Sequence, residues 1–386
     1  MRIAVVTVAG SGVGGMQRHT HDLVHGLRAA GHDVELIAPA NREDPNWLAR
    51  FNEAFLDAHA REPFDVVHSE STSALGLVHH KVHRQVPIVV MFHGNFLMRT
   101  MAGISRARKG SPLRREVMDF LWLCRVHFRH GNVWRYFPFE WIVPTPQQVR
   151  TQYLSHLLDP RKAHVIPHGV DTEAFRPRTK SSRDRPLLVA VGRLNHEKGF
   201  DVAIRALAHI PHADLVVVGD GEERGALERL AVQTGVDQRV RFTGRVSDEE
   251  VQARVADADV FLFPTRRNEA MGYVLLEAMS CGIPVVASRI GAIPEIVTSG
   301  ENGILVPVDD VDTLARLVTN LLSDDAERAR IAENARALVL DRYSLAQSTQ
   351  RKIEVYEIAR GERPHPNLRI RAKHQRPRTA GDTETG

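Results

Sequence analysis

Two series of short apolar runs, each run separated from the next by stretches with helical spacing, constrain this chain more than any other feature. The first series is Ile3–Val8, Val34–Ala38, Asp65–His68, Pro87–Phe92, Trp141–Pro144 and His164–Pro167, with helical patterns such as Met16–Ala30 and Thr72–Arg84 between its members. The second is Leu187–Val191, Asp214–Val218, Arg239–Phe242, Val260–Phe263, Pro284–Ala287 and Gly303–Val306. Strands without polar alternation are buried on both faces, and strands alternating with helices form parallel, doubly wound sheets. Between the series, DTEAFRPRTKSSRDRP (Asp171–Pro186) loses all periodicity and reads as a linker. No internal sequence repeat is apparent. The expectation is an α/β protein of two Rossmann-like domains, residues 1–170 and 187–343, facing each other across a cleft that holds the ligand. Residues 344–360 are expected to form a C-terminal helix packing back on the first domain. Residues 361–386 carry six basic and three acidic side chains without apolar spacing and are expected to be disordered.

The turn after the first run reads GSGVGG. Gly10, Gly12 and Gly15 satisfy G-x-G-x-x-G after a strand, a pattern that places free backbone N–H groups at a helix start around phosphate. A dinucleotide site also needs a carboxylate at the end of the next strand to bind a ribose hydroxyl. That end is Ala38-Pro39, with Asp33 and Glu35 at the start and middle. A phosphate-binding turn survives; a nicotinamide dinucleotide is disfavoured.

The 386 residues, 43% hydrophobic and 25% charged, suit a folded chain of two domains and exclude wholesale disorder. The two cysteines, Cys124 and Cys281, make no disulfide framework, and the expected location is cytoplasmic. No apolar run approaches the ~18 residues that cross a bilayer. The net charge of +4 conceals an uneven distribution, because residues 99–135 hold nine basic against two acidic side chains. Leu97, Met98, Met101, Ile104, Leu121, Trp122 and Trp134 are mixed among them or border them. That mixture suits an anionic membrane surface or a lipid phosphate, with an ordinary solvated loop and core-facing helix as the alternative.

The most informative stretch is PTRRNEAMGYVLLEAMSCGIPVVA, Pro264–Ala287. Glu269 falls in the loop after a strand, Gly272 opens a helix, and Glu277 lies near that helix's second turn. Eight helical positions span ~12 Å, so the two carboxylates suit opposite ends of an elongated ligand whose phosphates meet the helix N-terminus between them. Upstream, VGRLNHEKG (Val191–Gly199) brings Arg193 and Lys198 onto one loop. A planar fork and a point charge suit a diphosphate; a surface Arg193–Glu197 ion pair is the alternative. His19, His21 and His25 read as a surface face of the first helix.

Gly14-Gly15, His93-Gly94, Ile166-Pro-His-Gly-Val-Asp171, Gly192-Arg-Leu with Glu197-Lys-Gly199, and Glu269-x7-Glu277 running on to Ala287 resemble, in this order, glycosyltransferase family 4. These are the retaining group 1 glycosyltransferases of GT-B fold, and the resemblance covers roughly residues 1–358. It implies transfer of a sugar from a nucleotide-diphosphate sugar to a glycan, lipid or small-molecule acceptor, with no cofactor and no metal. Glu277 would bind the nucleotide ribose and Glu269 would face the sugar hydroxyls. Arg193 and Lys198 would hold the diphosphate, joined by Gly272, Tyr273, Val274 and the Gly14–Gly15 turn, and His93 would orient the sugar near its reacting face. Retention through front-side attack is likewise what the resemblance implies.

Some positions depart from the family pattern. Ala270-Met271 replaces the usual Gly-Phe after Glu269, Arg267-Asn268 replaces small residues before it, and His168 stands where asparagine is common. Asp257-Ala-Asp259 has the D-x-D form of metal-dependent glycosyltransferases but ends a helical stretch, and reads as structural. For residues 99–135 the resemblance implies a part in acceptor handling, while their composition suggests a peripheral contact with the inner face of an anionic membrane. A GT-B sugar-nucleotide epimerase and a non-catalytic sugar-nucleotide binder remain as alternatives; nucleic acid is not an expected partner.

Overall fold

The computed structural model describes residues 1–7, 15–39, 44, 46–71, 73–93, 139–149 and 159–364. Strands β1 (Arg2–Val6), β2 (Asp33–Ile37), β3 (Val66–Glu70), β4 (Ile88–Met91), β5 (Glu140–Val143) and β6 (Ala163–Val165) form one sheet in the order β2-β1-β3-β4-β5-β6. Strands β7 (Leu187–Val191), β8 (Asp214–Val218), β9 (Val240–Gly244), β10 (Val260–Phe263), β11 (Val285–Ser288) and β12 (Ile304–Val306) form the second, in the order β12-β11-β10-β7-β8-β9. Every pairing between these strands is parallel. The α/β expectation of two doubly wound domains is therefore borne out.

In the central strands alternate residues enter opposite cores. Ala4 and Val6 join one face of the first sheet, Ile3 and Val5 the other; Val189 and Val191 oppose Leu188 and Ala190 in the second. Burial on both faces makes these strands read as continuous apolar runs, and each fully buried Val, Leu or Ile adds about 1.5–3 kcal/mol. The first domain's described helices are α1 (Gly15–Ala29), α2 (Trp47–Arg61) and α3 (Leu75–His79). A single helix over 72–84 does not form: after α3, Lys81 takes φ +60° and a 3-10 turn, Val82–Arg84, follows.

In the second domain lie α4 (Phe200–Ala208), α5 (Arg224–Gln233), α6 (Asp248–Ala256), α7 (Tyr273–Ser280), α8 (Ile293–Ile296), α9 (Val311–Ser323) and α10 (Asp325–Arg342). The chain then returns. Helix α11 (Leu345–Ala359) packs on α1, placing Ile353, Val355 and Tyr356 in the first domain's core. It is held there by bonds from Ser348 Oγ to the Pro167 carbonyl, 2.6 Å, and from Arg351 to the Val165 carbonyl, 2.7 Å.

Strand order reverses between β1 and β3 in the first sheet and between β7 and β10 in the second. At such switch points the flanking loops diverge beyond the carboxyl ends of the strands and leave a crevice for ligand.

Candidate active site

The loops after β7 and β10 flank the second domain's switch point and carry its charged residues. Lys198 Nζ lies 2.6 Å from Glu269 Oε1 and 5.5 Å from the centre of the Phe263 ring. The two loops are fastened together. The Arg266 amide and Thr265 hydroxyl donate to the Glu197 carbonyl, at 2.8 and 3.0 Å. The Arg266 guanidinium bonds both carboxylate oxygens of Asp201 at 2.7 Å and reaches Asp309 at 2.5 Å. Gly199 makes the close approach possible: its φ is +68°, and a Cβ there would stand 1.9 Å from the Pro264 carbonyl oxygen. Arg193 is exposed and, among the described residues, makes no ion pair; Glu197 lies 3.8 Å from Arg267 instead. With Asn195, Asp220, Gly221, Glu222 and Arg245 it lines a cleft of about 440 Å³.

Gly272, at φ +78°, turns the chain into α7, so the amides of Tyr273 and Val274 stand in the first turn without carbonyls one turn back to receive them. One turn further, Glu277 is 2% exposed. Arg18 of α1 approaches its Oε1 from the other domain at 3.3 Å, while Oε2 has no hydrogen-bond partner among the described residues. Burial pushes the Glu277 carboxyl up to about 7 against the opposing pull of Arg18.

Across the cleft, the first domain contributes a buried polar cluster. Glu70, at the carboxyl end of β3, is fully buried. Its Oε2 is hydrogen-bonded to His93 Nε2, and its Oε1 faces His68 Nε2 at 3.4 Å and His19 Nε2 at 3.5 Å. The far nitrogens of the last two are also engaged: His68 Nδ1 lies 2.8 Å from the Tyr356 hydroxyl of α11, and His19 Nδ1 lies 2.7 Å from the Tyr273 hydroxyl of α7. His168 stacks on Tyr273 with ring centres 4.9 Å apart and on His93 at 5.3 Å. Burial holds the His19 and His168 imidazoles well below their ordinary range, leaving both neutral. Burial resists ionisation of Glu70, but the facing His93 and His19 and the hydrogen bonds from His68 and His93 keep its carboxyl well below the usual range. Metal-ligating atoms of His19, His93 and His168, and of His19, His68 and Glu70, lie within 4.8 Å of one another.

The family model described as Glycosyltransferase Family 4 matches residues 13–174, and that described as Glycosyl transferases group 1 matches residues 171–338. This chain belongs to the group 1 glycosyl transferases. The GDP-mannose-dependent alpha-(1-6)-phosphatidylinositol monomannoside mannosyltransferase of Mycolicibacterium smegmatis is 38% identical over 46% of this chain and 52% of its own length. The MMP alpha-(1->4)-mannosyltransferase of Mycolicibacterium hassiacum is 29% identical over 81% of this chain and 77% of its own. The match thus spans about half the length of the first of these relatives. Among solved structures, sucrose-phosphate synthase from Thermosynechococcus elongatus superposes with a TM-score of 0.76 at 22% identity, covering 94% of this chain and 100% of that one. Such likeness carries the fold, which is GT-B.

On this glycosyl transferase scaffold the residues singled out from sequence divide three ways. Lys198, Glu269, Gly272, Tyr273, Val274 and Glu277 surround the start of α7, while Arg193 stands on the neighbouring cleft wall. His93 stands at the end of β4, engaged by Glu70, and Gly15 begins α1. Gly14, Gly94, residues 99–135 and the chain beyond 364 lie outside the described residues. Asp257 and Asp259 are taken up by the linker: Arg183 donates to both carboxylates at 2.9 Å, Lys180 to Asp259 at 2.9 Å, and the amides of Ser181 and Leu187 to Asp257 and Asp259 at 2.7 and 2.8 Å.

One sequence reading is corrected. His19 is not a surface residue but 2% exposed, because the start of α1 faces the cleft, where Tyr273 and His168 cover it. Glu70 and His68 were not singled out. Their signal was present in DVVHSE, an apolar strand that closes on polar residues where the sheet order reverses.

Proposed function

We propose that the chain is a retaining, metal-independent glycosyltransferase that moves a sugar from a nucleotide-diphosphate sugar to a hydroxyl of a lipid-linked or glycan acceptor. The observation that carries this reading is the set of groups at the start of α7. A Lys198–Glu269 ion pair, unbonded helix amides and a buried carboxylate one turn on line the path of an elongated phosphorylated ligand. Breaking the anomeric C–O bond leaves negative charge on the diphosphate and positive charge on the sugar. Lys198, Arg193 and the α7 N-terminus would stabilise the leaving group. Lys198 would turn from Glu269 to the phosphates as the donor enters, freeing the Glu269 carboxylate to accept bonds from sugar hydroxyls. Glu277 would accept from the ribose. His93, across the cleft, would orient the sugar's reacting face.

These cations supply the neutralisation that other transferases obtain from a divalent ion, so turnover should persist in a chelator. Relatives whose names specify GDP-mannose and phosphatidylinositol monomannoside make GDP-mannose and phosphatidylinositol mannosides the first donor and acceptor to try. The test is a thermal-shift screen against GDP-, UDP- and ADP-sugars and NAD, followed by a transfer assay with the hits in EDTA, the product anomer being read by NMR. Transfer with the donor's anomeric configuration kept supports the reading. Binding without transfer to any acceptor class, inversion, or rescue only by magnesium or manganese overturns the corresponding part of it.

A further inference from the structure

We infer that Glu70 is a positioning residue for His93: the carboxylate fixes the proton on His93 Nε2 and the plane of the ring, so that Nδ1 is presented to the cleft as a hydrogen-bond acceptor. The inference rests on the proposed transferase reaction for its kinetic consequence, but its structural content stands alone. His93 follows the carboxyl end of β4 and retains 11% of its side-chain exposure, whereas Glu70 retains none. The two residues therefore form an inner anchor and an outer working group on neighbouring strands, paired in register Glu70 with Met91.

The hydrogen-bond network assigns the protons. Nε2 of His19 and of His68 faces the Glu70 carboxylate, which only accepts, so the Tyr273 and Tyr356 hydroxyls, 2.7 and 2.8 Å from Nδ1 of the two rings, are assigned as donors. Each of those rings, accepting at Nδ1, carries its proton on Nε2, and each Nε2 faces Glu70 Oε1. Glu70 is thus a buried carboxylate surrounded by imidazole N–H groups, with Oε2 left for His93. An amide in place of the carboxylate offers one acceptor and one donor, so at least one of the three rings must change tautomer or turn away. Because the His19 bond runs to Tyr273 at the start of α7, the same network joins the donor-side helix to the residue facing the sugar.

The test is Glu70→Gln, read in two ways. Long-range proton–nitrogen NMR of the imidazoles in the ligand-free protein should show wild-type His93 as the Nε2–H form, and a changed or mixed form in the variant. In the transfer assay kcat should fall on the order of 100-fold with donor and acceptor KM within about threefold, and Glu70→Gln should add nothing further to His93→Ala. Glu70→Asp, which keeps the charge, should recover part of kcat, and it carries both readouts if the glutamine variant does not fold. An unchanged His93 tautomer, additive losses in the double variant, or a stoichiometric metal ion held by His19, His68 and Glu70 in the purified protein would each overturn the assignment. If no donor and acceptor pair gives transfer, the proposed reaction fails while the tautomer measurement still decides the Glu70–His93 relation.

Discussion

Glu277 should make nucleotide binding proton-linked. Burial raises its carboxyl to about 7, while ribose hydroxyls donating to it would favour the ionised form. Binding then releases a proton below that value, so affinity for a nucleoside diphosphate should strengthen as pH rises from 6 toward 7.5 and level off above. Folding stability has the opposite slope: the folded state holds the extra proton between the ordinary glutamate value near 4.3 and about 7, so the ligand-free protein should lose stability as pH rises through that window and no further beyond it. Arg18, Asp22 and Asp248 are the charged groups that set the value besides burial. Glu277→Gln should flatten both slopes in titration calorimetry and thermal unfolding; equal slopes in variant and wild type would remove Glu277 from the ribose site. A second expectation concerns the diphosphate. Arg193→Ala and Lys198→Ala should each cost about 1.5–3 kcal/mol of transition-state stabilisation, the range for hydrogen bonds to charged groups, measured as kcat/KM. Unchanged kinetics in both would move the phosphates elsewhere in the cleft.

At the scale of elements, the D-x-D pair acts as a fastener for the linker rather than as a ligand set. Asp257 and Asp259 end the stretch after α6 and bind Lys180, Arg183, the Ser181 amide and the amide of Leu187, the first residue of β7. The double variant Asp257→Asn, Asp259→Asn should lower the melting temperature by weakening these part-buried charge-assisted bonds, roughly 1–3 kcal/mol in all. Activity in EDTA should remain, and activity lost with wild-type stability would instead argue for metal ligation. The central strands β1, β4, β7, β8 and β10 were legible in the sequence because burial on both faces writes a nearly unbroken apolar run. The start of α7 was legible because Glu269, Gly272 and Glu277 sit in a span of nine residues. Two things were not. The break after α3 turns on a left-handed Lys81, a conformation that no periodicity reports. The burial of His19 depends on Tyr273, 254 residues away, and helical spacing alone leaves the covered face of α1 undetermined.

Over the whole molecule, the two domains face each other across their switch points, and the described contacts that cross between them include Arg18 with Glu277, His19 with Tyr273, the His168 ring stacked on Tyr273, and the Gln147 amide donating to Glu295 at 3.1 Å. In the proposed reaction the donor is held by the second domain, which leaves the first to receive the acceptor. Residues 99–135 lie in sequence between β4 and β5, after His93; their structure lies outside the described residues, but their charge bears on acceptor class. No helix among the described residues is long and apolar enough to cross a membrane. If the acceptor is lipid-linked, the nine basic side chains of residues 99–135 would supply roughly 1 kcal/mol each when they reach an anionic leaflet. The protein should accordingly sediment with vesicles containing phosphatidylglycerol more than with phosphatidylcholine vesicles, and salt should release it, since exposed charges are screened over ~8–10 Å at 0.1–0.15 M. Reversing Arg106, Arg108 and Lys109 to glutamate should abolish sedimentation and slow transfer to a lipid-linked acceptor, while calorimetric binding of the nucleotide sugar, which rests on α7 and the Lys198 loop, stays at the wild-type value. Indifference to vesicle charge in both proteins would assign the acceptor to soluble glycans and leave the basic segment without a membrane role.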